Sequence, residues 1–532
     1  MMLPWQKRKL IRRLRENFGK PPEKDYYAGD MEWIRTAFDA CRAEGRDSFY
    51  VDETTWKDLD LDEVYKRVNA CQSTAGEQYL YCMLRRPMGP EEYEKQRGLI
   101  RLAAEKPDIR LQIQLILARI GIRRSVDLTS AFRPKDTSFF WLAVYCLLSL
   151  LAVAAILVTV FCGVRYIFIP LVLVAGNAFF HEFRRIRCEH DIDRVNYCVG
   201  LVFSLRRLRK LKLPELDRYM GDAYGHLDRL KPIVRSGPVM SAMNSDLFQG
   251  LMITFFLTDL IAFEILKRRL AKYHDHFLEV HEAVGRVDAS IAVAGYRESL
   301  ETWCEPVIDY AAASPYIRAE DMVHPMLKNP VPNPLSLDQS MLITGSNASG
   351  KSTYLRSAAL CALMAQTLCT CTCGSYRGSP FRIYTSMALS DNLLAGESYY
   401  MAEIRSLKRI LDEQEKEGFV LCAIDEVLRG TNTIERIAAS AEVLKALDRP
   451  GTLCLIATHD AELCTLSGDA YRQAHFEETV SDTEIRFDYR IKPGPAETRN
   501  AIHLLKLMGF DEKIVTAAHA RADSYAKTGK WT

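Results

Sequence analysis

A chain of 532 residues is too long for one ordinary core, so two or three domains are expected. Its apolar fraction of 48% and charged fraction of 26% are those of a globular protein, and its formal charge of +2 argues neither for nor against a nucleic-acid partner. Fifteen cysteines are scattered without disulfide-like spacing, many inside apolar runs such as Leu421-Cys422-Ala423, which suggests buried thiols in a reducing cytosol.

Local charge asymmetry begins at the N-terminus. Lys7, Arg8, Lys9, Arg12, Arg13 and Arg15 crowd together, with Trp5, Leu10, Ile11 and Leu14 interleaved and Phe18 just beyond. No continuous apolar run follows, so the stretch is not a secretory signal. It reads either as a basic amphipathic helix on anionic lipid or as a solvated start. Residues 1–50 form this basic segment, in which Pro21-Pro22 breaks any early helix. From Trp56 the spacing turns helical through Val64, Val68 and Leu80 and stops at Arg85-Arg86-Pro87. It resumes from Tyr93 through Leu99 and Ile100 and, after Pro107, through Leu111, Leu115 and Ile120. Residues 51–137 are therefore a helical segment.

The composition then changes abruptly. Phe139 to Cys162 carries no charge, and a membrane span needs about 20 such residues. Gly163-Val164-Arg165 interrupts, and Tyr166 to Phe180 is again uncharged, although short and holding Pro170. We read 138–182 as a transmembrane hairpin, the alternative being a buried hairpin of a soluble core. Arg123, Arg124, Arg133 and Lys135 precede it, and Arg184, Arg185 and Arg187 follow, so both flanks are expected on the cytoplasmic side.

Residues 183–318 are helical again. Leu251 to Leu257 is too short to span and is expected to be buried between helices. His274, His276 and His281 sit among Asp275, Glu279 and Glu282, a pattern that fits a solvated lever helix better than a metal site. Pro325, Pro330, Pro332 and Pro334 mark the entry into the last domain, 319–532.

In that domain Met341-Leu342-Ile343-Thr344 leads into Gly345-Ser346-Asn347-Ala348-Ser349-Gly350-Lys351-Ser352-Thr353, and a helical pattern follows. Strand, glycine loop and helix in this order make a P-loop. Backbone N–H groups turn inward on phosphate oxygens, Lys351 reaches the β- and γ-phosphates of ATP, and the Ser352 hydroxyl can ligate Mg²⁺. Two further runs, Phe419 to Ile424 and Leu453 to Ala457, are continuously apolar, as strands covered on both faces are. The class is α/β with a mostly parallel sheet.

The strand ending at Ile424 delivers Asp425 and Glu426 to the sheet's carboxyl edge, where such sheets bind ligands. Asp425 is placed to hold Mg²⁺, and Glu426 to orient or deprotonate the attacking water. The next strand ends at Thr458-His459, where His459 can sense the γ-phosphate. After Ser398 the spacing turns helical, so Ser398 is either the cap of an ordinary helix or a second anion site. A single ATP does not need two helix N-termini from one chain; a second protomer would supply the missing half. Cys369-Thr370-Cys371-Thr372-Cys373 alternates with period two, which sets three thiols on one face of a strand; packing is preferred to metal because no matching ligands lie nearby in sequence.

These motifs, in this order and spacing, resemble the ATPase domain of the MutS family of DNA mismatch-repair proteins, an ABC-like fold. The matching stretches are Leu342 to Asn347 with Gly350-Lys351-Ser352-Thr353, Asp391 to Glu403, Ile424-Asp425-Glu426 with Arg429-Gly430-Thr431, and Ala457-Thr458-His459. Upstream, Val68 to Glu77 with Leu84-Arg85-Arg86-Pro87 is similar to the start of that family's helical core, and Phe277 to Ala294 to the end of its lever. The resemblance implies a homodimer in which Ser398 reaches the γ-phosphate bound by the partner, levers that follow nucleotide state, and DNA as the substrate. The expected architecture is a P-loop (ABC-like) ATPase domain behind an all-α MutS-like core that a transmembrane hairpin interrupts. It would sit in a bacterial-type inner membrane with the ATPase domain cytoplasmic.

The departures matter as well. Ala348-Ser349 replace the usual Met-Gly, Leu428 stands where glycine is usual, and Tyr399 where threonine is usual. No room before Trp56 accommodates a mismatch-reading domain, and no Phe-x-Glu wedge appears near the N-terminus. Contact with DNA would rest on phosphate-binding residues such as Arg206, Arg207, Arg209 and Lys210, a run that equally suits a basic helix face near a membrane. A mechanical ATPase acting on a protein or envelope partner is the alternative reading.

Overall fold

The computed structural model describes residues 4–43, 45, 49–123, 138–235, 253, 255–346, 349–387, 399–480, 485–496, 502, 505 and 509–528. The chain forms two compact units. The first comprises Met1–Ser48, Lys66–Met83 and Glu94–Ser299; the second comprises Phe49–Tyr65, Leu84–Tyr93 and Leu300–Thr532.

The first unit is helical. At its centre the helix Thr74–Arg85 meets the helix His274–Glu298 at closest backbone approach. Glycine makes this possible: a Cβ on Gly285 would stand 2.5 Å from the Ala75 carbonyl, and one on Gly76 would stand 2.3 Å from Asp288 Oδ2. Asp288, buried, accepts hydrogen bonds from the Ser73 N–H at 2.8 Å, the Ser73 hydroxyl at 2.6 Å and the Gln72 N–H at 3.0 Å. Ser73 in turn accepts from the Gly76 N–H at 3.1 Å, which satisfies one of the helix's unpaired amides. Glu77 is fully buried, and Lys24 reaches it at 2.9 Å.

The helix His274–Glu298, expected to be solvated, is buried along most of its length from Val284 to Arg297. It packs on several helices of the unit at once, while Asp275 and Glu279 on its first turns stay exposed. His281 is a satisfied core histidine, 3.0 Å from Gln78 Oε1. At the N-terminus Pro4–Glu16 is helical, with Leu14 buried and Trp5 exposed, and it packs on the helix Pro107–Leu117. Arg110 lies 3.4 Å over the Phe18 ring.

Phe140–Cys162 is one helix, ended by Gly163 at φ 108°, a conformation open to glycine. A single 3-10 turn, Val164–Tyr166, leads into Phe168–Lys210, a helix of 43 residues that runs without a break through position 182. Pro170 is harmless there because it falls in the first turn, where its missing N–H has no partner to lose. Both helices are long and apolar enough to cross a membrane. Their apolar side chains point outward, Phe161 being 82% exposed. At the base of the hairpin buried Arg184 donates to Tyr145 Oη at 2.9 Å and stacks 3.7 Å over Trp141. Leu257 is buried against Tyr145 and Leu260; the earlier part of its apolar run lies mostly outside the described residues.

The second unit is built on a six-stranded sheet ordered Lys492–Pro493, Arg472–His475, Met341–Thr344, Thr452–Ala457, Val420–Asp425, Arg382–Ser386. All neighbours are parallel except the edge strand Lys492–Pro493. The central strands are buried on both faces, as their continuous apolar runs require. A four-stranded sheet adds Val307–Ile308, Ser375–Gly378, Ile317–Met322 and Asn333–Leu337, so sheet structure in this unit starts before position 319. Residues 49–65 join the unit through polar contacts. Asp58 Oδ2 accepts from Thr385 Oγ1 at 2.7 Å, and Arg409 pairs with Asp52 at 2.7 Å.

Candidate nucleotide site

The register of three neighbouring strands brings the site together. Ile343 pairs with Ala457, and Ala457 with Asp425, so the ends of Met341–Thr344, Thr452–Ala457 and Val420–Asp425 lie side by side. Each is followed by the polar residues singled out in the sequence.

After Thr344 the loop turns at Gly345, φ 136°, where a Cβ would come within 2.4 Å of the Phe476 carbonyl. Only glycine fits. Gly350, φ 105°, closes the loop, and Lys351 opens the helix Lys351–Thr367. Ser349 Oγ donates to the Ser346 carbonyl at 2.7 Å. Lys351 is 2% exposed, and its ammonium donates to the carbonyls of Gly345 at 2.5 Å and Ser346 at 2.8 Å. Burial pushes this group down to about 8, against the pull of Asp425, Glu426 and Glu478. Ser352 and Thr353 follow at the head of the helix. Asn347 and Ala348 lie outside the described residues.

Facing the loop, Glu426 Oε1 is 3.1 Å from His459 Nε2, and Glu426 Oε2 is 2.9 Å from Arg429 Nε. His459 Nε2 is also 3.4 Å from Lys351 Nζ. Burial raises the Glu426 carboxyl, but His459, Arg429 and Lys351 outweigh it and hold the group below the usual range. Arg429 also stands 3.5 Å from Asp425 Oδ2 and donates to the Asp425 carbonyl. Its own N–H donates to buried Glu403 at 3.1 Å. Arg429 and Glu403 thus brace the acidic pair, a role that spacing alone could not reveal. Glu426 at φ 66° and Leu428 at φ 60° both occupy the left-handed region. Leu428, standing where glycine is usual, is held there as a buried core residue.

The structure brings Lys351, Asp425, Glu426 and His459 together. Ser398 and residues 391–397 of its motif lie outside the described residues; the helix expected after it is present as Tyr399–Glu413. Beside the loop, a cleft of about 420 Å³ is lined by His324, Phe476 and Tyr489 together with Gly350, Ser352 and Thr353. Burial, then the nearby Arg356, lowers His324 to about 4, so its ring is neutral at pH 7. His324, Phe476 and Tyr489 carried no sequence signal, since they come from separate stretches of chain.

The site fits a nucleoside triphosphate on its own terms. A buried ammonium bonded to loop carbonyls, beside a glycine that no side chain could replace, forms a cradle with positive charge at a helix head. Ser352 and Asp425 offer hard oxygen donors of the kind Mg²⁺ prefers.

Comparison with known proteins supports the same assignment. Residues 341–525 match the model of MutS domain V. The DNA mismatch repair protein MutS of Lactobacillus gasseri is 34% identical over 206 residues, 37% of this chain and 24% of the relative. That of Natronomonas pharaonis is 31% identical over 268 residues, 48% of this chain and 30% of the relative. The DNA mismatch repair protein MutS 2 of Haloarcula marismortui is 35% identical over 186 residues, 33% of this chain and 19% of the relative. The chain therefore spans less than a third of the length of each of these relatives. Residues 341–525, which contain the loop, the acidic pair and His459, are thus a MutS domain V.

Proposed function

We propose that this chain is a membrane-anchored, MutS-like ATPase that binds ATP with Mg²⁺ on the loop Gly345–Thr353 and works as a homodimer with DNA as its substrate. The observation that carries the reading is the buried Lys351 ammonium, held by loop carbonyls and facing the Glu426–His459 pair. Lys351 would meet the β- and γ-phosphates, while Ser352 and Asp425 would hold the metal. The bound ion supplies charge neutralisation on the phosphates. Glu426, kept as a carboxylate by its cationic neighbours, orients the attacking water and accepts its proton. His459 fixes the Glu426 carboxylate and would sense the terminal phosphate. Lys351→Ala tests this directly: ATP binding or turnover should be abolished, and normal turnover would overturn the loop assignment.

Membrane attachment draws support from the outward-facing apolar side chains of Phe140–Cys162 and of the helix beginning at Phe168. Both basic flanks and the ATP requirement favour a cytoplasmic ATPase domain, as in a bacterial-type inner membrane. Carbonate extraction checks it; release of the protein into the wash would refute the spans. The second reading, a tethered mechanical ATPase acting on a protein or envelope partner, is favoured by one observation. Arg209, within the basic run proposed for phosphate contact, is engaged by Asp228 at 3.1 Å. Salt-dependent retention on DNA decides between the two: no retention at low salt, with ATPase activity intact, would remove DNA from the proposal.

A further inference from the structure

Three sulfur atoms of the second unit gather beside the helix that follows the nucleotide loop, and a fourth, from another stretch of chain, touches one of them. Cys361 lies on the helix Lys351–Thr367, Cys371 and Cys373 lie between that helix and the strand Ser375–Gly378, and Cys304 precedes the strand Val307–Ile308. Cys304 Sγ is 3.4 Å from Cys373 Sγ, and Cys361 Sγ is 3.9 Å from Cys373 Sγ. The sulfurs of Cys361, Cys371 and Cys373 all lie within 4.8 Å of one another. Cys304 and Cys371 are locked in register by reciprocal backbone hydrogen bonds of 2.9 and 3.1 Å.

The period-two reading of the Cys369 to Cys373 run is corrected here. Cys369 has φ 50°, which breaks the alternation, and its sulfur turns to the Tyr93 carbonyl. Two cysteines distant in sequence take its place, which is why spacing gave no ligand set.

We propose that Cys304, Cys361, Cys371 and Cys373 form a tetrathiolate site for one Zn²⁺ ion, which ties the helix carrying Lys351 to the four-stranded sheet. Zn–S bonds of about 2.3 Å in a tetrahedron set the sulfurs about 3.8 Å apart, and the two separations to Cys373, 3.4 and 3.9 Å, lie on either side of this value. A cluster of several irons would hold its cysteine sulfurs further apart. All four donors are soft, which selects zinc over magnesium or calcium. Cys361, Cys371 and Cys373 are buried, whereas Cys304 is partly exposed and gives the ion a way in. Binding displaces the thiol protons to solvent, and no electron is transferred.

The test uses the full chain in detergent, purified under reductant without chelator. Elemental analysis should find about one zinc per chain. Metal-stripped protein titrated with Co²⁺ should develop the intense near-ultraviolet sulfur-to-cobalt band and the visible bands of a tetrahedral tetrathiolate. Cys304→Ser, a partly exposed position, should weaken both, while Cys82→Ser, in the first unit, should not. If folded wild-type protein takes up cobalt without the sulfur band, or if its mass shows a Cys304–Cys373 disulfide in place of metal, the site is not a zinc site. Should Cys304→Ser fail to fold, the wild-type cobalt spectrum alone decides.

Discussion

His459 Nε2 lies 3.1 Å from Glu426 Oε1, and this contact joins the ends of two adjacent parallel strands. The sheet fixes it from behind. The Glu426 N–H donates to the Ala457 carbonyl at 2.9 Å, and the Thr458 N–H donates to the Ile343 carbonyl at 2.9 Å. These bonds hold Glu426 at φ 66°, a conformation costing roughly 1–2 kcal/mol for a residue with a side chain. The strained backbone aims the carboxylate at the loop, so sheet register, strain and chemistry meet in one residue.

Glu426→Gln should separate binding from turnover. The amide keeps the shape and can still accept from Arg429 or His459, but it cannot take a proton from water. Turnover should fall about 10²- to 10⁴-fold while nucleotide affinity stays close to that of the wild type. Equilibrium binding and single-turnover hydrolysis on the same preparation check it. Turnover within tenfold of the wild type would assign the base elsewhere.

Lys351 should make nucleotide binding take up a proton. Burial lowers its group to about 8 in the empty loop, below the ordinary 10.5, so near pH 8 a large share of the chains hold it neutral. Triphosphate charge favours the ammonium and raises the group again, so protons are taken up around pH 8 to 9 and scarcely at pH 6. Affinity should fall as pH rises through 8. Titration calorimetry in buffers of different ionisation enthalpy reads the uptake. Lys351→Arg, charged throughout, should show none at any pH, and a wild type that shows none either would mean that the lysine is not depressed.

Ser398→Ala tests the shared site without any assumption about its geometry. If the serine acts on nucleotide held by the partner, the homodimer of the variant should lose activity. Mixing it with Lys351→Ala protomers should restore about one working site per mixed dimer, because both lesions then fall in the other site. Failure to recover activity in verified mixed dimers would argue that each chain works alone.

Much of the second unit was legible because its signals are local. A loop, its helix and two apolar strands each announce themselves within a few residues, and parallel register then forces Asp425, Glu426, His459 and Lys351 together. The supporting residues were not legible for the opposite reason. Glu403 and Arg429 belong to separate motifs and their bond appears only in the fold, His324 and Tyr489 line the cleft from distant stretches, and Asp58 joins Thr385 across most of the sequence. The exposed hairpin announced itself by composition, whereas the burial of His274–Glu298 could not be read from its charges. Asp275, Glu279 and Glu282 lie on its first turns, while Gly285 and Asp288 decide what its later turns touch.

Asp288 offers the sharpest test of that buried crossing. Burial raises its carboxyl to about 6, against hydrogen bonds from Ser73 and Gln72 and the charge of Lys24; the ordinary value is 3.8. For an acid whose folded value is raised, the folded chain binds the proton more tightly between 3.8 and 6. The group therefore favours folding most in acid, and that contribution is lost as pH rises through 6. Its full range is roughly 3 kcal/mol. Asp288→Asn removes the titration. It also leaves an amide N–H₂ facing the N–H groups of Gln72 and Ser73, at a cost of about 1–3 kcal/mol. Protection of the amides in residues 72–85, followed by hydrogen exchange and corrected for intrinsic rates, should decline from pH 4.5 to pH 7 in the wild type. In the variant the profile should be lower and flat. Parallel profiles in the two proteins would show that Asp288 is ionised throughout and that the crossing is held by its packing at Gly76 and Gly285 alone.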